Sequence, residues 1–223
     1  MTDRAPATSL NFLTLGKSTS PVILLLAHGA GAPMTSPFFE ELSLLISGQG
    51  LRVVRFEFSY MAERRHGGSR RPPPKAERLI PEFNAAIDVV RQNLRNGQRL
   101  LIGGKSMGGR VASMIAEKHF KAGRVAALLC YGYPFHPPKN PESLRTTHLE
   151  RITCPTLIVQ GEKDPLGTRS EVENYNLSNK IRLHWIAGGD HDLAAVRPRG
   201  TSAHSGIAAA ASETVRFLNS LPA

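Results

Sequence analysis

Cysteine is nearly absent: Cys130 and Cys154 are the two in 223 residues. Two cysteines make no disulfide framework, and neither stands at a metal-binding or redox spacing. Cys130 ends an apolar run and reads as a small core residue. Long apolar runs are missing as well. The longest, "VILLLA" at 22–27, is far too short to span a bilayer. The first ten residues, "MTDRAPATSL", hold no apolar stretch of a secretory signal, so cytoplasmic residence is the expectation. Acidic residues are in deficit: 18 Asp and Glu face 28 Lys and Arg, for a formal net charge of +10. Such an excess can attract nucleic acid, anionic lipid or acidic substrates. Five of the cations, Arg64, Arg65, Arg70, Arg71 and Lys75, crowd into "ERRHGGSRRPPPK". Little aromatic interleaving and no nucleic-acid motif accompany them, so a dedicated nucleic-acid function is not expected.

What is present is a regular alternation. "VILLLA" (22–27), "RVVRFEF" (52–58), "RLLIGG" (99–104), "VAALLCYG" (125–132) and "TLIVQG" (156–161) read as strands. Most are apolar almost throughout, as strands are when helices cover both faces of a parallel sheet. "IRLHWIA" (181–187) alternates instead and is expected nearer a sheet edge, and "LNFLTLG" (10–16) is a possible extra strand. Between them lie helical patterns. Ser36-Pro37 marks one start. Phe83, Ile87, Val90 and Leu94 form one apolar face, and Asn140-Pro141 opens a shorter candidate. Ile207, Ala211, Val215 and Leu218 line the last. Repeated β-α-β units predict an α/β fold with a mostly parallel, doubly wound sheet flanked by helices. One domain over 1–223 is expected, with 61–75 as a basic Arg/Gly/Pro loop.

In an open parallel sheet, chemistry collects beyond the carboxyl ends of the strands. After the strand at 99–104 stands "GGKSMGG", in which Gly104-Lys105-Ser106-Met107-Gly108 fits G-x-S-x-G, a turn that exposes a serine between a strand and a helix. After the strand at 156–161 comes "GEKDPLG", where Asp164 is placed to orient a histidine and Glu162 is the nearby alternative. After 181–187 comes "GGDHDL", with His191 in a glycine-opened loop. Asp190 and Asp192 permit a metal reading there, but no second histidine stands at ligand spacing, so no metal is expected. Ser, Asp and His thus follow three strands at the same end of the sheet. The first strand leads into "HGAGAPM" (28–34), where the backbone N–H groups of Ala30 and Met107 could receive a developing oxyanion. His28 reads as a hydrogen-bonding support for that loop.

Together these motifs resemble the α/β-hydrolase superfamily along nearly the whole chain. More narrowly, "LLLAHGAGAPM", "RFEFSYM", "GGKSMGGR", "GYPFHPP" and "PTLIVQGEKDPLG" are similar to the small KANL3/testis-expressed family, whose bacterial members are often labelled dienelactone-hydrolase-like. The resemblance implies an α/β-hydrolase fold without a large cap. It makes Ser106 the nucleophile, His191 the general base and acid, and Asp164 the residue that orients His191. Dienelactone hydrolases proper use cysteine as nucleophile, and this chain departs from them there.

The chemistry expected is serine-ester hydrolysis of a small acyl substrate through an acyl-enzyme, with no cofactor. The segment 131–154 is too short for a large helical lid, so the site should be open. Met34, Tyr133, Phe135 and His136 are candidate lining residues, with packing as the alternative for Tyr133 and Phe135. Arg64, Arg65, Arg70 and Arg71 are candidate ligands for an anionic group on the substrate. Two other readings stand beside this one: a non-catalytic binding or scaffold protein with a basic surface, and a perhydrolase or haloperoxidase using the same triad. The oligomeric state is not legible.

Overall fold

A computed structural model describes residues 10–65, 67, 72–195 and 205–222. Among these, strands β1 (Asn11–Leu15), β2 (Val22–Ala27), β3 (Arg52–Glu57), β4 (Arg99–Lys105), β5 (Ala127–Tyr131), β6 (Thr156–Gly161) and β7 (Ile181–Ile186) form one sheet. Its order is β1-β3-β2-β4-β5-β6-β7. β1 runs antiparallel to β3, and every other pairing is parallel. The segment at 10–16 is therefore a strand, and β7 lies at the opposite edge. There β7 buries Ile186 while the rest of the strand stays exposed or half-buried.

The continuous apolar strands follow from the two-sided cover. Successive side chains point to opposite faces of a sheet. Ile23, Leu25 and Ala27 of β2 join one core cluster, whereas Val22, Leu24 and Leu26 join the other. Helices α3 (Ala76–Gln92) and α4 (Met107–Lys121) close the first face with Phe83, Ile87, Val111 and Ile115. Helices α1 (Pro37–Gly48) and α6 (Ser205–Asn219) close the second with Phe39, Leu42, Ala211 and Leu218. Of the face expected on α6, Ile207 and Val215 are half-buried, and Ala210, Thr214 and Phe217 are buried instead.

Helix α3 extends beyond the face read for it, and two expectations need correction. Helix α3 starts at Ala76 and runs through Pro81, ahead of the apolar face read from Phe83. An interior proline costs about 3 kcal/mol in a helix, and here the burial of Ala76, Leu79 and Phe83 opposes that cost. The basic segment is not all loop, because α2 (Ser59–Arg65) takes its first residues. No helix forms after Asn140-Pro141. Separate turns (Asn140 N–H to Pro137, Ser143 N–H to Asn140) replace it, and Arg145 N–H is drawn to the Phe135 carbonyl at 2.8 Å. Tertiary hydrogen bonds thus claim backbone groups that a helix would have used.

Candidate active site

Strand β4 delivers the chain into α4 through Ser106, whose backbone sits at φ 51°, ψ −117°. A positive φ at a residue with a side chain is strained and persists only where the surroundings enforce it. Here Ser106 N–H bonds to the Tyr131 carbonyl at 3.0 Å, and its own carbonyl accepts from Arg110 N–H at 3.0 Å. The flanking glycines permit the crossing. A Cβ on Gly104 would lie 2.4 Å from the Ala27 carbonyl oxygen, and one on Gly108 would lie 2.3 Å from the same atom.

The two loops beyond β6 and β7 meet the serine. His191 Nε2 stands 2.9 Å from Ser106 Oγ, and His191 Nδ1 stands 2.7 Å from Asp164 Oδ2. Asp164 is fully buried. Its Oδ2 also accepts from the Gln160 amide at 2.8 Å, and its Oδ1 accepts from Leu166 N–H at 2.9 Å. Both oxygens are thereby held in place, which turns the carboxylate toward Nδ1. Glu162 faces elsewhere, accepting from Gly188 N–H and from the Arg169 guanidinium. Asp190 Oδ1 closes its own loop by accepting from Asp192 and Ala194 N–H. Among the described residues, no group of three or more His, Cys, Asp and Glu side chains is arranged to hold a metal ion.

The alpha/beta hydrolase domain family matches this sequence over residues 20–219. The chain belongs to that family. Solved structures similar to it include a dienelactone hydrolase from Anabaena variabilis, at 21% identity and TM-score 0.72 over 96% of this chain and 93% of that one. An alpha-beta serine hydrolase homologue from Coxiella burnetii is 19% identical, with TM-score 0.69 over 94% and 91% of the two chains. Est1E from Butyrivibrio proteoclasticus, solved with ferulic acid bound, is 12% identical, with TM-score 0.67 over 94% and 96%. At these identities the likeness is one of fold.

Two residues that support the site of this alpha/beta hydrolase domain stand out. His28 is buried after β2, its Nδ1 donating to the Gly29 carbonyl at 2.7 Å and its Nε2 accepting from Phe58 N–H at 3.1 Å. This matches its reading as a support, since it joins the glycine-rich loop to the segment after β3. Burial, the largest effect, pulls its pKa down to about 4. Lys105, the variable residue before the serine, is buried too. Its ammonium donates to the His191 carbonyl at 2.7 Å, pairs with Asp192 at 3.1 Å and lies 5.5 Å from the Phe38 ring centre. Burial lowers its pKa, against the opposing pull of Asp192. Lys105 thus ties the histidine loop to the strand that carries the serine, a role sequence reasoning missed. Gln160 was missed as well, although a polar residue inside an otherwise apolar strand is a signal for it.

Turns, rather than a large cap, fill the chain between β5 and β6, and two cavities open on either side of Ser106. One, of about 740 Å³, is walled by Met107, Met114, Lys75, Glu77, Arg110 and Arg145, among others. The other, of about 650 Å³, is walled by Phe38, Phe39, Ile207, Lys105, His191 and Asp192. Ala30 and Ser106 belong to both. Met107 opens α4, so its N–H has no acceptor within the helix.

The four expected lining residues do not line either cavity. Met34, Tyr133, Phe135 and His136 are all buried in the fold. Met34 gives its carbonyl to the Arg55 guanidinium at 2.8 Å, and Tyr133 OH donates to the Arg145 carbonyl at 3.0 Å. Phe135 packs against Gly167 and Tyr175, while His136 Nδ1 bonds to the Pro137 carbonyl at 2.9 Å. Packing decides their direction. Arg64 stacks over Tyr60 at 5.2 Å and reaches the Ala30 carbonyl at 3.5 Å, outside both cavity walls. The side chain of Arg65 and all of Arg70 and Arg71 lie outside the described residues. Among the described residues, the cations on the 740 Å³ cavity wall are Lys75, from the basic segment, Arg110, from the first turn of α4, and Arg145, from the turns after β5. For Arg110 the available signal was its place in the first turn of the helix that follows Ser106; nothing local marked Arg145.

Proposed function

We propose that this chain is a carboxylesterase-type serine hydrolase, acting as a single domain in the cytoplasm on a small ester or other acyl substrate. The observation that carries this reading is the continuous hydrogen-bonded line from Ser106 Oγ through the His191 ring to buried Asp164. Such a line has the geometry of an activated nucleophile. His191 Nε2 takes the hydroxyl proton as Ser106 Oγ attacks the acyl carbonyl. The tetrahedral oxyanion is received by the N–H groups of Ala30 and Met107, at the N-terminus of α4 where the helix favours negative charge. His191 then returns the proton to the leaving oxygen, and the acyl group remains on Ser106. A water deprotonated by His191 releases it, while Asp164 holds the Nδ1–H tautomer and stabilises the imidazolium. The motifs shared with the KANL3/testis-expressed, dienelactone-hydrolase-like proteins support the narrower kinship, and the serine in place of cysteine sets this chain apart from dienelactone hydrolases proper.

Treatment with an uncharged fluorophosphonate, followed by peptide mass spectrometry, tests the reading. Stoichiometric modification of Ser106 is expected, abolished in Ser106→Ala and reduced at least a hundredfold in rate in His191→Ala, on the order of a general-base contribution. A folded protein that takes no label, or labels equally without Ser106, would sink the proposal in favour of a binding protein.

A further inference from the structure

We propose that the cavity walled by Arg110 and Arg145 is an acyl pocket for a short acyl group that carries its own carboxylate. The preferred substrate is then a half-ester of a dicarboxylic acid with an uncharged leaving group. The inference deepens the serine-hydrolase reading and rests on it.

The sides of the serine are distinguished by the histidine. In acylation the leaving oxygen must collect its proton from His191 Nε2, so the leaving group lies where His191 is. His191 walls the 650 Å³ cavity beside Phe38, Phe39, Ala194 and Ile207. Among its described wall residues the charged ones, Lys105 against Asp192 and Glu41, bring no excess of positive charge, surroundings suited to an uncharged alcohol. The acyl chain is left with the 740 Å³ cavity on the other side of Ser106.

That cavity carries an excess of positive charge. Among its described wall residues, Lys75, Arg110 and Arg145 face a single carboxylate, Glu77. Arg110 Nη2 pairs with Glu77 Oε1 at 2.8 Å, but its Nε is buried without a hydrogen-bond partner. A guanidinium offers five donors in a planar fork matched to a carboxylate, so Arg110 keeps unspent capacity after Glu77. Arg145 lies close enough to Arg110 that burial first, and then the neighbouring charge, lower its pKa. Two cations crowded in this way gain from an anion between them. His148, on the same wall, is held neutral near pH 7 by burial, with a pKa of about 4, and adds no charge of its own. Ser106 and Arg110 wall the same cavity, and the Arg110 N–H bonds to the Ser106 carbonyl at 3.0 Å. A carboxylate at the guanidinium therefore sits only a few carbons from the acyl carbonyl at the serine, the reach of a succinyl or glutaryl group.

The test compares three aryl esters: butyrate, the glutarate half-ester, and butyrate with the carboxylate on the aryl ring. Wild type is expected to prefer the glutarate half-ester to butyrate by tenfold or more in kcat/KM. The ratio should collapse by about tenfold or more in Arg110→Met and in Arg145→Met, as expected on losing a charge-assisted hydrogen bond. Arg145→Lys, which keeps charge but loses the fork, should restore part of it. Because the readout is a ratio between substrates on one protein, a general loss of folded enzyme leaves it unmoved. A wild-type ratio near one, a ratio that survives both methionine variants, or a preference that follows the carboxylate onto the leaving group would each overturn the acyl pocket. Fluorophosphonate labelling of Ser106 is run on the same samples. Labelled enzyme with a flat ratio overturns the acyl pocket alone; no labelling and no turnover of any ester overturns the serine-hydrolase reading with it.

Discussion

Gly108 leaves no room for a methyl group. A Cβ there would approach the backbone oxygens of Ala27 and His28 to 2.3 and 2.5 Å, and both belong to the chain leaving β2. Neither can retreat without moving the centre of the sheet. Gly108→Ala is expected to lower unfolding stability by about 3 kcal/mol, at the upper end of overpacking effects. Gly48→Ala, where an added Cβ meets nothing within 4 Å, is the comparison and should be neutral or stabilising. Similar urea midpoints for the two variants would show that the serine turn tolerates a looser fit. At this scale the site was legible where a residue's role follows from its place in the chain. Ser106, Asp164 and His191 each stand just past a strand, and parallel strands bring their carboxyl ends together whatever the loops look like. Met34, Tyr133, Phe135 and His136 stand in similar loops, yet their side chains are buried in the fold, Phe135 against the distant Tyr175 for one. Direction of that kind has no local signature.

Helix α4 serves the site at its first turn and the fold at its last. Ser106 precedes it and Arg110 lies within it, while Glu117 reaches back to the segment before β6. The Glu117 carboxylate accepts from Thr153 N–H at 2.7 Å, from the Thr153 hydroxyl at 2.8 Å and from Cys154 N–H at 3.1 Å. It also pairs with Lys121 at 2.9 Å. These bonds outweigh burial, which pushes the other way, and hold its pKa down at about 2. Glu117→Ala strips three donors of their acceptor, and a loss of about 1–3 kcal/mol is expected at pH 7, read from urea unfolding. The deficit should shrink as the pH falls from 4.5 toward 2, where the unfolded chain takes up the proton that the folded carboxylate refuses, and an unchanged stability at pH 7 would show that water replaces the carboxylate. Elements were read well where period and stop signals agreed, as in α1 and the parallel strands. They were misread where long-range bonds prevailed. For α3 only the face from Phe83 onward was read, and core contacts at Ala76 and Leu79 carry the helix across Pro81 ahead of it. Asn140-Pro141 looked like a helix start, but Phe135 and Tyr133 hold Arg145 in a turn.

For the molecule as a whole, acid should be destabilising earlier than carboxylate titration alone would make it. A histidine in the unfolded chain takes its proton near pH 6.5, whereas His28 and His148 take theirs at about 4. Between those values the unfolded state binds more protons, so stability is fully present above pH 6.5 and falls as the pH drops toward 4. Buried His28 alone accounts for about 3 kcal/mol over that window. Urea unfolding at pH 7 and pH 4.5 should show the loss, and His28→Gln should reduce its pH slope while lowering stability at pH 7. A wild-type stability that is flat across this range would refute the neutral, buried state of both rings.

The order of strands and helices, the two-faced apolar core and the three chemical residues at one end of the sheet were determined by the sequence itself. Hydrophobic period, glycine placement and chain direction are local quantities, and the right-handed crossover rule turns them into a topology. Which cations face the substrate was decided only by the tertiary structure. Among the described residues, Lys75 at the end of the conspicuous basic segment joins the cavity wall and Arg64 does not, while the other two cations there are Arg110 from a helix and Arg145 from a turn 35 residues later. A cavity is the space left over when distant segments pack, and no stretch of chain encodes that space alone.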